Sequence, residues 1–176
     1  MPGQVYEFRP VSHIAVGAVG RPGQRVFLLQ ARYERQMLTL KMEKFQVAAL
    51  AEAIDQIVSE LERVEERIVT AVEEPAELEV DEDLLLPDFV VGDIGLGYDA
   101  GNSMAIIMLN EISAVEQQGD VARMWVPLEH ARALAKQARR VVAGGRPICP
   151  LCNKPIDPEG HFCPGRNGHS THPETD

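Results

Sequence analysis

The sequence predicts an α+β fold made of two β-meander-plus-helix units in a pseudo-twofold arrangement, followed by a small C-terminal loop rich in metal-ligating residues. Three observations predict it: a pattern of apolar runs and turns that occurs twice, a helical apolar period after each occurrence, and a cluster of cysteines near the end. Since 45% of the 176 residues are hydrophobic, the chain can build a core of its own.

The two halves share three apolar runs separated by turns. The segments 13–20 and 88–95 both end in Val-Gly, one residue, a β-branched residue and Gly. The second and third runs of each half are at 26–29, 36–42, 104–108 and 121–126. A short strand at Val5–Phe8 precedes the first unit, and Leu78–Val80 is a candidate for the same place in the second. We expect one curved antiparallel sheet system with both helices on one side.

Each unit continues into a helix. Apolar residues spaced alternately three and four apart form one stripe in the first helix: Val47, Leu50, Ile54, Ile57, Leu61, Val64 and Ile68. Such a stripe is typical of a helix buried on a sheet, and its last turns could also pair with another helix. The second helix begins at Pro127, a residue favoured in first turns, and ends at Gly144.

Composition shifts divide the chain. We predict a duplicated domain over 1–145, with halves at about 1–70 and 78–145, and a zinc-binding tail over 146–176. The stretch 65–88 joins the halves and holds ten acids and one Arg, so its middle is predicted to be an exposed, mobile linker.

Charge and targeting signals restrict the class of protein. The formal net charge is −10, divided as +4 over 1–45, −17 over 46–120 and +3 over 121–176. This balance disfavours non-specific nucleic-acid binding, although the two ends could form a local basic surface. The chain shows neither a membrane-length apolar run nor a signal peptide, and its three clustered cysteines do not resemble a disulfide framework. We therefore expect a cytoplasmic protein without a membrane partner.

The cysteines and histidines of the tail have the spacing of a zinc site. Cys149 and Cys152 form a two-residue-spaced pair that can reach one ion from a tight turn, and Cys163 supplies a third sulfur. Tetrahedral zinc needs a fourth ligand, for which the spacing favours His169, with His161 as the alternative. Because the Pro-rich segment has few apolar residues, metal coordination is expected to order it, so the zinc is predicted to be structural.

The duplicated body and the tail motif together resemble a known group. The run CPLC, then DPEGHFCP, then NGH is similar to the tail of an uncharacterised actinobacterial domain-of-unknown-function family, some members of which are labelled only "repeat protein". The resemblance covers nearly the whole chain and implies a zinc-binding tail, but it implies no activity. At the level of fold, Gln36–Glu43 and the helix after it resemble the strand-to-helix step of PUR-repeat and Whirly-type single-strand-binding proteins.

The favoured functional hypothesis is a non-enzymatic interaction or regulatory module that binds a protein partner, with the zinc loop as a docking or stabilising element. The sequence indicates no oligomeric state. The alternative is a single-stranded nucleic-acid-binding surface, where cations track the backbone and aromatic rings stack on bases. Its aromatic candidates are Phe8, Phe27 and Tyr33. Its basic candidates are Arg9, Arg21, Arg25, Arg32, Arg35 and Lys41. The acidic net charge favours the other interpretation, in which these rings are core and the arginines are solvated or paired.

An enzyme is the least favoured hypothesis. The glycine-rich stretch from Gly92 to Gly101 matches neither a dinucleotide-binding motif nor a P-loop, so it is interpreted as bends and a turn. His13 and His130 are isolated histidines with no recognisable orienting partner. No catalytic residue is therefore predicted.

Overall fold

The computed structural model describes residues 2–78, 86–113, 115, 118–145, 147–156 and 160–167. These residues form seven strands, two long helices and one short helix. β1 (Val5–Phe8) precedes the first unit, which contains β2 (His13–Val19), β3 (Val26–Tyr33), β4 (Gln36–Met42) and α1 (Lys44–Glu65). The second contains β5 (Phe89–Asp99), β6 (Met104–Glu111), β7 (Val121–Pro127) and α2 (Leu128–Ala143), and α3 (Pro164–Asn167) follows in the tail. The predicted α+β class and the order of strands and helix in each half are confirmed.

All seven strands belong to one sheet in the order β1-β7-β6-β5-β4-β3-β2. Within each unit the neighbouring strands are antiparallel, as predicted for a meander. The prediction of a fully antiparallel sheet is wrong, because β4 pairs with β5, and β1 with β7, in parallel. Helix α1 explains the parallel pairing of β4 with β5, because parallel neighbours need a long connection and α1 lies in the connection between these two strands. The candidate strand Leu78–Val80 lies largely outside the described residues.

The short connection between β1 and β2 requires the sheet to curl. β1 and β2 occupy opposite ends of the strand order, so in a flat sheet they would be about 29 Å apart. The chain from Phe8 to His13 spans at most about 18 Å when fully extended. Inside this connection, Val11 N–H donates to Trp125 O in β7, and Ser12 N–H donates to Arg32 O in β3. The sheet therefore curves until its two edges approach each other.

Both helices share one core with the concave face of this sheet. Alternate strand residues such as Leu29, Leu40 and Ile107 are fully buried and belong to the same apolar cluster as Ile54 of α1 and Leu134 of α2. α1 also contacts α2, and Arg139 of α2 pairs with Asp55 of α1. The predicted placement of both helices on one side of the sheet is confirmed.

The apolar stripe of α1 is only partly buried. Val47, Leu50 and Ile54 are buried as predicted, together with Val58, but Val64 is 63% exposed and Ile68 is 87% exposed. The helix ends at Glu65, and its C-cap residue Glu66 adopts the left-handed conformation with φ 49°. The last apolar residues of the predicted stripe therefore extend beyond the sheet and lie in solvent.

A buried glutamine on each helix bonds to the first strand of the other unit. Gln46 of α1 donates to the carbonyl oxygens of Val91 and Gly92, where the pairing of β5 with β6 shifts register. Gln137 of α2 accepts a hydrogen bond from Val16 N–H of β2 and donates to Pro75 O in the linker. Because β2 lies at the end of the strand order, the bond from Val16 N–H to Gln137 satisfies a backbone donor that could otherwise pair with a strand of another chain.

The first part of the predicted linker 65–88 is held against α2. Val69 is buried, and Arg132 of α2 donates to its carbonyl oxygen at 2.7 Å. The prediction of a mobile linker concerned the middle of this stretch. Residues 66–78 are anchored by such contacts, and residues 79–85 lie outside the described part of the chain.

The buried and exposed residues of the apolar stripe predicted for α1 should differ in their contribution to the free energy of unfolding. Ile54→Ala is expected to lower the free energy of unfolding by about 3 kcal/mol, because it opens a cavity in a fully buried site. The matched change Ile68→Ala, at an exposed isoleucine, is expected to cost less than about 0.5 kcal/mol. Urea denaturation of both variants checks this, and equal losses would contradict the described packing.

Candidate metal centre

The cysteine-containing loop begins a few residues after α2 ends and is built from tight backbone turns. Ile148 and Pro155 form an isolated antiparallel bridge, which brings the two sides of the first turn together. Inside this turn, Cys149 N–H donates to Lys154 O, and Asn153 N–H donates to Cys149 O. Asn153 adopts a left-handed conformation with φ 55°, which asparagine tolerates better than most residues. The chain reversal therefore places the two thiols of the Cys-x-x-Cys pair on the same side.

Four side chains of the loop converge. One ligand atom each from Cys149, Cys152, His161 and Cys163 lies within 4.8 Å of the other three. Cys149 Sγ is 3.7 Å from Cys163 Sγ, and Cys152 Sγ is 3.3 Å from His161 Nε2. Cys149 and Cys163 are buried, while Cys152 and His161 are half-buried. All three cysteines are free thiols, so no disulfide competes for the sulfurs.

These separations fit a single tetrahedral ion. Two sulfurs that are each about 2.3 Å from one tetrahedral centre lie about 3.8 Å apart, which agrees with the 3.7 Å between Cys149 and Cys163. A sulfur and an imidazole nitrogen on the same ion lie about 3.6 Å apart, close to the 3.3 Å between Cys152 and His161. These two separations therefore agree with a cluster that could hold one metal ion.

The electrostatics of the loop favour a thiolate at one cysteine. Hydrogen bonds from the backbone N–H groups of Leu151 and Cys152 lower the pKa of the Cys149 thiol to about 6. The pKa of Cys152 is raised overall: the Lys154 N–H lowers it, but burial and the neighbouring sulfurs outweigh that bond. Two sulfurs this close cannot both carry charge easily, and a bound cation would relieve the repulsion between them.

The sequence prediction and the structure overlap at the three cysteines. Cys149, Cys152 and Cys163 are brought together with His161, which was the alternative fourth ligand. The favoured candidate, His169, lies outside the described residues. The spacing of the motif could not choose between them, because both histidines are close enough in sequence to Cys163 to approach the same ion.

The six basic residues predicted for a nucleic-acid surface differ in their contacts and exposure, and two of them, Arg25 and Lys41, line one cavity. Arg9 stacks over the ring of Trp125 at 4.5 Å and lies 3.8 Å from Asp99. Arg25 stacks over Phe27 at 4.9 Å and donates to Val141 O at the end of α2. Of the others, Arg21 and Arg35 are exposed in turns, Arg32 is half-buried on β3, and Lys41 is half-buried on β4.

The aromatic rings predicted for that surface pack inward. Phe8 is 1% exposed and Phe27 is 6% exposed, and both belong to the core cluster. Tyr33 is half-buried and stacks on Phe8 with ring centroids 5.7 Å apart. Two of the three rings therefore present no free face to a base. The residues considered for an enzyme are also dispersed: His13 is on β2, His130 is exposed on α2, and the glycines from 92 to 97 belong to β5.

Fold and site define the class of the protein as a mixed α+β domain with a C-terminal Cys/His cluster that could hold a metal ion. The chain belongs to the family described as "Protein of unknown function (DUF3090)", whose match covers residues 6–163. No curated protein and no solved structure matches the chain. The predicted membership of a domain-of-unknown-function family is confirmed, whereas the actinobacterial origin and the repeat label stay predictions. Among the described residues, neither long helix is apolar enough to span a bilayer.

Proposed function

We propose that the protein is a non-enzymatic interaction module of the cytoplasm, in which a structural zinc ion orders the C-terminal loop for contact with a protein partner. One observation carries this proposal: four ligand atoms lie within 4.8 Å of one another, while apolar side chains next to the ligands are exposed. All four of these residues lie within the part of the chain that matches the family, residues 6–163.

Zinc is the ion that this donor set fits best. Three thiolates and one imidazole are soft to borderline ligands, and Cys₃His is a common structural zinc set. A catalytic zinc ion keeps one position open for water or substrate, whereas four protein ligands close the coordination sphere. We therefore assign His161 as the fourth ligand and give the ion a structural role. Free thiols gathered in one short loop also favour a reducing compartment.

The loop needs the ion because it buries little else. Three of its large apolar side chains point outward: Ile148 is 57% exposed, Leu151 is 64% exposed and Phe162 is 75% exposed. In the loop's described residues, the buried side chains are those of Cys149 and Cys163. A structural zinc ion contributes on the order of 10 kcal/mol in small modules, which is enough to replace a missing core.

The same exposed residues supply the contact surface. Ile148 precedes one ligand, Leu151 lies between two ligands and Phe162 lies between His161 and Cys163. Because the ligand side chains turn inward to the ion, their sequence neighbours face solvent. Three large apolar side chains within one short loop are unusual on a protein surface and are typical of a protein contact site.

Zinc content tests the ligand assignment. His161→Ala is expected to lose most of its zinc, because an open coordination position weakens a structural site, while Cys163→Ser should lose it as well. His169→Ala serves as the matched control and is expected to keep one zinc per chain. Elemental analysis after dialysis against a weak chelator gives the result. Zinc loss in His169→Ala with retention in His161→Ala would contradict the assignment.

Chelation tests whether the ion orders the loop. Removing the metal with a strong chelator is expected to speed amide exchange at Asn153 and Ile156, whose N–H groups donate to loop carbonyls. Amides of α1 and the central strands should keep their protection, since the body has a separate apolar core. Hydrogen exchange with and without chelator measures the protection of the loop amides and of the amides in the body. A loop that stays protected after complete metal removal would argue against the structural role.

A pair of phenylalanine variants tests the contact surface. Phe162→Ser is expected to abolish recovery of the partner in purifications from native lysate while leaving the zinc content unchanged. Phe45→Ser removes a ring that is exposed to a similar degree, 71%, at the start of α1, and it should leave recovery unchanged. If both variants recovered the same proteins as the wild type, the loop would not be the contact surface.

A further inference from the structure

A cavity of about 320 Å³ lies at the end of the sheet where β3 begins and β4 ends. Three cationic residues, Arg25, Lys41 and Lys44, contribute to its lining, together with the backbone of Gly23 and Gly145. The same region contains the first residue of α1, Lys44, and the C-terminal end of α2. This concentration of positive charge stands out in a chain whose net charge is −10.

Two of the cations converge on one point. A Cβ atom placed on Gly145 would be 2.6 Å from Arg25 Nη2 and 3.6 Å from Lys44 Nζ. A side chain at position 145 would therefore require the guanidinium to shift, whereas the glycine lets both cations keep these positions. Their nitrogens are close enough to contact one small anion at the same time.

These cations have no carboxylate partner in the part of the chain that the structure describes. Arg25 donates to Val141 O and stacks on Phe27, but neither contact neutralises its charge. Lys41 and Lys44 form no salt bridge with a described acid. The one acid in the lining, Glu43, takes part in the capping box of α1, where it faces the helix N-terminus.

The end of α2 accounts for part of this arrangement. Cations near a helix C-terminus stabilise its negative end, and Arg25 bonds directly to the last turn of α2. The positive N-terminal end of α1 is at the same cavity, however, and it offsets that effect. The Glu43 carboxylate already lies at that N-terminus, so Arg25, Lys41 and Lys44 share the cavity with one acid and leave a net positive charge, which favours a further anion.

We propose that this cavity binds the phosphate group of a small phosphate-bearing molecule. An arginine presents a fork of donors that matches phosphate oxygens, and a lysine adds a mobile point charge. A small molecule fits better than a nucleic-acid strand, because the charge is confined to one cavity. The ring beneath Arg25, that of Phe27, is buried and cannot stack on a base.

Phosphate titration of the full-length, zinc-loaded protein tests the proposal at constant ionic strength set with sodium chloride. Inorganic phosphate and glycerol 3-phosphate are each followed by amide NMR shifts. Both are expected to give saturable shifts at Gly23, Arg25, Lys44 and Gly145. Lys44→Gln is expected to weaken binding about tenfold, as for loss of one charged hydrogen bond. Lys136→Gln removes the same charge from an exposed site on α2 and should change affinity less than about twofold.

Three results would overturn the proposal. One is the absence of saturable shifts at these amides with millimolar phosphate. Another is equal weakening in Lys44→Gln and Lys136→Gln, which would indicate non-specific charge attraction. The third is that neither small phosphate binds, whereas a single-stranded oligonucleotide binds tightly and shifts the amides of Arg21 and Arg35 as well. That result would assign the surface to nucleic acid. Zinc content and partner recovery are separate measurements, so failure here leaves the loop function untouched.

Discussion

The C-terminal loop depends on four side chains meeting at one point. Cys149, Cys152, His161 and Cys163 converge within 4.8 Å, whereas Leu151 and Phe162, which lie between them in sequence, face solvent. Chain entropy opposes a fixed shape in such a segment, and burial of apolar surface is too small to offset it. A tetrahedral ion can supply the missing free energy and, because it draws the ligands inward, it also explains why their neighbours point outward. In the proposed account, the bound ion is the single physical cause of both order and exposure in this loop.

The body of the protein is shaped by a different constraint. The four residues between β1 and β2 are too short to cross a flat seven-stranded sheet, so the sheet curls and forms a concave face. Both helices fill that face, and Gln46 and Gln137 bond each of them to the first strand of the other unit. The body therefore has a core of its own, and metal loss should affect the loop without unfolding the sheet.

Sequence periodicity predicted most of the fold because local patterns determine local structure. Val47, Leu50 and Ile54 were identified from helical spacing, and the strand runs from alternation and turns. The pattern could not show that Val64 and Ile68 are exposed, since that depends on where the sheet ends beneath α1. The parallel pairings also escaped prediction, because a meander gives no signal about which strand lies beside it across a helix. For the metal centre, the three cysteines followed from spacing, but the histidine did not, since ligand choice depends on how the turn at Asn153 and the helix at Pro164 orient the chain.

The coordination sphere itself gives the most direct test of this account. X-ray absorption at the zinc edge of the full-length protein, purified without added metal, reports the number and type of ligand atoms. We predict one zinc ion with three sulfurs at about 2.3 Å and one nitrogen at about 2.0 Å. A first shell dominated by oxygen and nitrogen, or protein purified without stoichiometric zinc, would contradict the proposed metal centre and the loop function that depends on it.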